Sequence, residues 1–252
     1  MRLFGCFTGI GGFELGFERA GFELAGFAEV DPYCCRVLAR HWPAVPNLGD
    51  VRGLSASRLA RVGRVDVLTA GVPCGPASVA GSRLGSESDE WLWPELLDVV
   101  RLSRPRWLVA ENPVGLVSLE PDGLQWVCGS LHELGFDAWP VILSAHAVGA
   151  PHLRERVWIV AHADGERCEE QRGAEPVPAP CGGAERDCRW PAQPGVGRVA
   201  HGLPCRVDRI RALGNALIPK IAELLARAIV ACEAAKPVKR FILSESSQPV
   251  RS

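Results

Sequence analysis

The 252-residue sequence predicts an α/β fold built on a mostly parallel sheet. Short apolar runs alternate with segments of helical periodicity, the pattern of strands covered by helices on both faces. A glycine-rich turn, TGIGG at 8–12, separates the first run from the first helix. Polar residues follow four of the runs directly, and ligands of such sheets bind beyond the carboxyl ends of the strands.

In chain order, RLFGCF (2–7) reads as the first strand and FELGFERAG (13–21) as a helix closed by Gly21. LAGFAEV (24–30) is a second strand. Asp31 and Pro32 then open a helix as N-cap and first-turn residue, with Cys34, Val37 and Leu38 on its apolar side. VDVLTA (65–70) is a third strand, and WLWPELLDVVRLS (91–103) sets Leu92, Leu96, Val99 and Val100 on one helical face. RWLVAEN (106–112), WPVILSA (139–145) and RVWIVAH (156–162) supply further apolar strands. From about Ala163 to Gly202 the pattern lapses into a stretch rich in Pro, Gly, Arg and Glu, too long for an ordinary connection. Helical pattern returns at ALIPKIAELLARAIVA (216–231), with Ile221, Leu224, Leu225 and Ile229 on one side. The tail from Lys236 reads as frayed or disordered.

The bulk properties narrow the setting. A net charge of −1 argues neither for nor against a nucleic-acid partner. The ten cysteines are scattered without a CxxC pair. The start, MRLFGCFTGIGG, has no long apolar core or cleavage signature. The uncharged stretch Ala138 to Leu153, which no other exceeds in length, is interrupted by Pro and His and is too short for a bilayer. The expectation is a cytoplasmic protein with no membrane association, whose thiols are reduced and either inert or catalytic.

Six positions carry candidate chemistry. Glycines in the 8–12 turn let backbone N–H groups approach a ligand closely. Glu29, ending the second strand, is placed to hold ribose hydroxyls or to be a solvated loop carboxylate. Asp50 suits an adenine amino group or a helix N-cap. Cys74, in GVPCGP, sits in a stiff turn just past a strand end, where a thiolate could act as nucleophile. Glu111 and Asn112 follow WLVA without a spacer, so partial burial would let Glu111 act as an acid near neutral pH. Arg154 and Arg156, two apart, share one side of an extended segment and suit a carboxylate, a phosphate or a base carbonyl.

These pieces, in this order, resemble the DNA cytosine-5 methyltransferases, particularly the short forms of phages and restriction-modification systems. FTGIGGFELGFERAG looks like the family's first motif, Glu29 its second, Asp50 its third, and GVPC with Ser78 its fourth. Glu111-Asn112 matches the sixth, Arg154 and Arg156 the eighth, and LGNALIPKIAELL the tenth. The resemblance implies a Rossmann-like S-adenosylmethionine-dependent methyltransferase fold acting on double-stranded DNA. It implies that Cys74 adds to C6 of a flipped-out cytosine, with Glu111 at N3 and Arg156, supported by Arg154, at the base carbonyl or bracing Glu111. The cofactor would be held by Phe7, Thr8, Gly9, Ile10, Gly11, Gly12, Glu29, Asp50, Val51, Pro73 and Asn215. DNA would be met by Ser78, Arg189, Arg198, Arg206 and Arg209, and no metal is implied. The basic end of the irregular stretch, Arg186 to Arg211, holds six Arg against two Asp and suits phosphates.

The implied organisation is a catalytic and cofactor-binding domain at 1–162 and a small target-recognition region at 163–205. A segment at 206–235 would return to the catalytic domain, ahead of the tail at 236–252. No obligate protein partner is expected, and a cognate restriction endonuclease is not readable. Gly75 stands where the family has Gln, Ala77 where it has a bulky residue, Pro113 where it has Val, and His152 where it has Gln. Gly75 and Ala77 make the catalytic loop smaller. Methylation of RNA cytosine, and a DNA-binding homologue with impaired catalysis, stand as alternatives. A zinc module from Cys168, Cys181, Cys188 and Cys205 has irregular spacing. A nicotinamide-dependent dehydrogenase would leave Cys74 and Glu111 without roles.

Overall fold

The computed structural model describes residues 1–73, 91–163 and 206–235. Six strands form one sheet: β1 (Arg2–Cys6), β2 (Glu23–Ala28), β3 (Val67–Gly71), β4 (Trp107–Pro113), β5 (Asp137–Ser144) and β6 (Glu155–His162). Their order is β2-β1-β3-β4-β6-β5. β1 runs parallel to β2 and β3, and β3 to β4, while β6 is antiparallel to both of its neighbours. The chain leaves β1 for β2 on one side and later returns to β3 on the other. That reversal opens a crevice at the carboxyl ends of β1 and β3, the standard ligand position in such sheets.

Alternation along the strands divides the interior into two layers. Leu3, Val67, Val109 and Trp158 face α1 (Gly12–Arg19) and the C-terminal helix, meeting Phe13, Phe17, Ile221 and Ala222. Phe4, Leu68, Leu108 and Ile159 face the opposite way. They meet Trp93 and Leu96 of α4 (Trp93–Ser103) and Val127 and Leu131 of α5 (Leu124–Glu133). Between these lie α2 (Pro32–His41), capped by Asp31 as the sequence predicts, and the short α3 (Ala56–Ala60). The chain closes with α6 (Arg206–Asn215) and α7 (Pro219–Ala234).

Three helices escape the sequence pattern, the five-residue α3, α5 and α6, and one strand differs in its setting. α5 buries only Val127 and Leu131, too few apolar positions to stand out by periodicity. α6 leaves Val207, Ile210 and Leu213 exposed and buries Ala212, so it carries no core-facing stripe, and its first residues overlap the basic stretch Arg186–Arg211. WPVILSA does form a strand, but β5 is the sheet edge, and Trp139 to Ile142 are exposed rather than buried. An apolar run predicts extended backbone without saying how many sheet faces are covered.

α1 and α7 pack closely because Gly16 has no side chain. A Cβ there would lie 2.6 Å from both the Ala222 Cβ and the Pro219 carbonyl oxygen. Gly16→Val is therefore expected to destabilise by about 1–3 kcal/mol and to lower the thermal midpoint by roughly 3–10 °C. An unchanged midpoint by differential scanning calorimetry would show that the two helices are not in tight contact.

Candidate active site

A cavity of about 1630 Å³ opens at the carboxyl ends of β1 to β4. Its first wall is the turn after β1. Phe7, Gly9 and Gly11 all have positive φ, at 52°, 57° and 89°. Glycine takes this conformation readily; at Phe7 it stores backbone strain of the kind that collects at ligand sites. Phe7, Thr8, Gly9, Ile10 and Gly12 line the cavity. Gly11 differs from the sequence expectation: it turns away from the cavity, where a Cβ would lie 2.4 Å from the Trp42 ring. It caps α1 instead.

Glu29 and Asp31 form the next wall. The Glu29 Oε2 accepts the Gly9 N–H at 2.6 Å, and its Oε1 accepts from Val30 N at 2.9 Å and Asp31 N at 2.7 Å. A carboxylate offers about four acceptor positions, so roughly one is left for a hydroxyl. Asp31 accepts from Tyr33 N and Cys34 N at the start of α2 and pairs with Arg211 of α6. The Cys34 N–H, then Tyr33 N–H and Arg211, hold its carboxyl below the usual carboxylate range. Arg211, a cavity-lining residue that the sequence reasoning did not single out, thus ties α6 to the mouth of the site. Its only sequence signal was the excess of Arg over Asp.

Asp50 takes the capping role of its two expected ones, from a position on the cavity wall. It lines the cavity and also caps the short turn Val51–Gly53, accepting from Arg52 N at 2.9 Å. The Arg52 guanidinium pairs with it, Nη2 to Oδ2 at 2.7 Å, and lowers its pKa. An adenine amino group would share that carboxylate with Arg52. Val51 and Pro73 also line the cavity.

The far wall comes from β4 and β6. In the β3–β4 pairing Gly71 lies beside Glu111, and across β4 the antiparallel register sets Trp158 beside it. The Glu111 carboxyl is nearly buried, and the Arg156 Nε stands 3.1 Å from its Oε1. Burial pushes the Glu111 pKa up to about 7, against the pull of Arg156 and then Arg154. Asn112 is buried beside it and donates to the Val72 carbonyl at 3.2 Å and the Glu111 carbonyl at 3.1 Å. It therefore fixes the backbone leading out of β3 toward Pro73.

Arg154 lines the same cavity but holds a different partner from the one expected. Its Nη2 donates to the Gly214 carbonyl at 2.9 Å and the Ala216 carbonyl at 2.8 Å. These flank Asn215, which also lines the cavity. Arg156 braces the carboxylate, while Arg154 fastens the segment between α6 and α7 to β6.

Cys74, Gly75, Ala77, Ser78, Arg189 and Arg198 lie outside the described residues, as do the side chain of Arg206 and the cysteines of the zinc alternative. Arg209 is exposed on α6 and does not line the cavity. Among the described residues no group of three His, Cys, Asp or Glu side chains is placed to hold a metal, and no helix is long and apolar enough to cross a membrane. The cavity fits a nucleoside-like ligand. Its wall of Glu29, Asp31 and Asp50 offers acceptors to hydroxyls and an amino group, with Asp31 and Asp50 each shared with an arginine.

Residues 1–181 match the family model of C-5 cytosine-specific DNA methylases. The type II methyltransferase M.HgiBI of Herpetosiphon aurantiacus is 32% identical over 166 residues, covering 63% of this chain and 36% of that protein. The type II methyltransferase M.AquIA of a Picosynechococcus strain is 30% identical over 181 residues, covering 66% of this chain and 73% of that protein. The chain thus spans little more than a third of the length of the former relative. In fold it resembles a crystal structure of Spodoptera frugiperda DNMT2 carrying three substitutions, with a TM-score of 0.55 and 19% identity over 65% of this chain and 50% of that one.

The buried carboxyl has a signature in stability. A folded-state pKa near 7 against 4.5 for the ordinary group means that its contribution is fully present below about pH 4.5. That contribution is lost as the pH rises through 7. The thermal midpoint should therefore fall between pH 5 and 8 in the wild type more than in Glu111→Gln; parallel curves would show that Glu111 is ionised throughout. Arg154→Met should speed amide exchange at Ala216 roughly tenfold or more by freeing the two carbonyls beside it. Unchanged exchange would leave Arg154 without the fastening role.

Proposed function

The chain belongs to the C-5 cytosine-specific DNA methylase family, and from that premise we propose that it is an S-adenosylmethionine-dependent DNA cytosine-5 methyltransferase acting on double-stranded DNA. The observation that carries the reading is the nearly buried Glu111 carboxyl paired with Arg156, in the same cavity as the glycine turn and beside the strand exit that leads to Cys74. A carboxyl with a pKa near 7 can hold or give a proton at the pH of a cell.

Cytosine C5 is a poor nucleophile because its electrons belong to the ring. In the proposed reaction the Cys74 thiolate adds to C6, and Glu111 protonates or hydrogen-bonds N3 to accept the displaced electron density. Arg156 orients Glu111 and faces the base carbonyl. The enamine-like C5 can then take a methyl group, a base removes the C5 proton, and the thiolate leaves by elimination to restore the ring. The cofactor supplies the methyl group on a cationic sulfur. Thr8, Gly9, Glu29, Asp50 and Asn215 would hold it, with Arg154 keeping Asn215 in place. The target carbon is inaccessible in a duplex, so the base must be flipped out. Asn112 supports the geometry by anchoring Val72, two residues before the nucleophile.

We place residues 163–205 as a small target-recognition region and the enzyme in the cytoplasm of a bacterial or phage-infected cell. A cognate endonuclease is compatible with, though not required by, this reading.

Bisulfite sequencing of DNA from expressing cells reports activity, modified base and sequence context together. Conversion-resistant cytosines in one recurrent context are expected. They should vanish with Cys74→Ser and fall at least a hundredfold with Glu111→Gln, while both variants keep DNA binding. Substrate carrying 5-fluorocytosine should trap the wild type as a denaturant-stable adduct. Methylation of structured RNA but not duplex DNA would overturn the assigned polymer, and undiminished transfer by Cys74→Ser would overturn the mechanism.

A further inference from the structure

Glu14 lies in the first turn of α1 and is buried at 1% exposure, though no step described above uses it. Its carboxyl occupies the space that a side chain at Gly5 would fill: a Cβ there would stand 2.0 Å from the Glu14 Oε1 and 2.9 Å from the Thr8 Oγ. Gly5 pairs with Thr69 across β1 and β3, which puts the buried Thr69 hydroxyl on the same face of the sheet. Both Glu14 oxygens and the Thr8 and Thr69 hydroxyls lack a well-aligned hydrogen-bond partner. Buried polar atoms gathered about one glycine with poorly aligned hydrogen bonds call for an explanation. They lie directly beneath the turn that lines the cofactor cavity.

We propose that Glu14 is a positioning residue for the cofactor: as a neutral acid lodged against Gly5, Thr8 and Thr69, it braces the Phe7–Gly12 turn from below, so that cofactor affinity depends on this one proton. The inference rests on the cofactor reading given above. A neutral carboxyl can both donate and accept, which lets it join two hydroxyls in one network; a carboxylate can only accept. Ionisation would also set a buried charge near Glu29, the carboxylate that holds Gly9 N.

Burial favours the neutral form. It raises the Glu14 pKa to about 8, against the opposing pull of its own backbone N–H and then the Thr8 hydroxyl, with the charge of Glu29 adding a last and smallest push upward. On the opposite face of β1, Cys6 is a buried thiol whose own pKa is raised, first by burial and then by the charge of Glu14. α7 brings Lys220 and Glu223 in the turn packed on Gly16, the latter paired with Arg227. β3 contributes Thr69 and no ionisable group over Val67–Gly71.

The test compares S-adenosylmethionine affinity of the wild type and Glu14→Gln by calorimetric titration from pH 6.5 to 9.5. The amide keeps the neutral shape and does not titrate, and the amine of the cofactor titrates equally with both proteins. Between pH 7 and 9 the wild type should lose about tenfold in affinity relative to the variant, the fraction of neutral acid remaining one unit above its pKa. Coincident profiles would overturn the inference and leave the cofactor reading standing. Absence of binding by the wild type at any pH would remove both. Should the variant not fold, wild-type titrations with 5′-methylthioadenosine, which has no amine, in two buffers at pH 8.5 give the proton count directly. Uptake of roughly three quarters of a proton is expected, and zero uptake would overturn the inference.

Discussion

A carboxyl group buried at the end of a strand must find either a proton or a cation, and Glu111 is held between the two. Desolvation raises its pKa toward neutrality while Arg156 keeps the ionised form within reach. Neither residue could do this alone. An isolated buried carboxylate would remain protonated, and a fully paired one would be a permanent anion. The sheet register supplies the arrangement, since β6 sets Arg156 directly across from Pro113, two positions past Glu111. The chemistry proposed for the site follows from that balance.

The cavity is completed by chain that returns from far away in sequence. Arg154 holds the two carbonyls around Asn215, and Arg211 pairs with Asp31 at the start of α2. Leu217 fills the space over Gly12, where a Cβ would come within 2.9 Å of its Cγ. The wall around the glycine turn and the wall around Glu111 are therefore both tied to the segment 211–217. Disturbance of the C-terminal segment should be felt on both sides of the site.

Much of this was legible in the sequence because it rests on local signals. The glycine turn, the Asp31–Pro32 helix start and the apolar strands each carry their own chemistry in adjacent residues, and the observed elements lie within a few positions of those expected. Glu29, Asp50, Glu111 and Arg156 were found because each follows or opens such an element. What escaped depended on partners distant in sequence. Arg154 reads from sequence as a support for Arg156, whereas its guanidinium holds the Gly214 and Ala216 carbonyls. Gly11 looked like its neighbours in the turn until Trp42 claimed its open side. α6 was hidden because its apolar residues face outward, and Glu14 because a buried acid within a helix has the same sequence signature as a solvated one.

The reversed direction of β6 has one more consequence. Because it runs against β4, its first residues stand at the cavity and its last, near His162, at the opposite edge beside Trp107. The tolerance of the chain to insertion is therefore lopsided around this strand. Lengthening the hairpin between β5 and β6 would drag both guanidinium groups out of place together. Extra residues at the Ser103–Arg106 connection, on the opposite edge of the sheet, would leave them untouched.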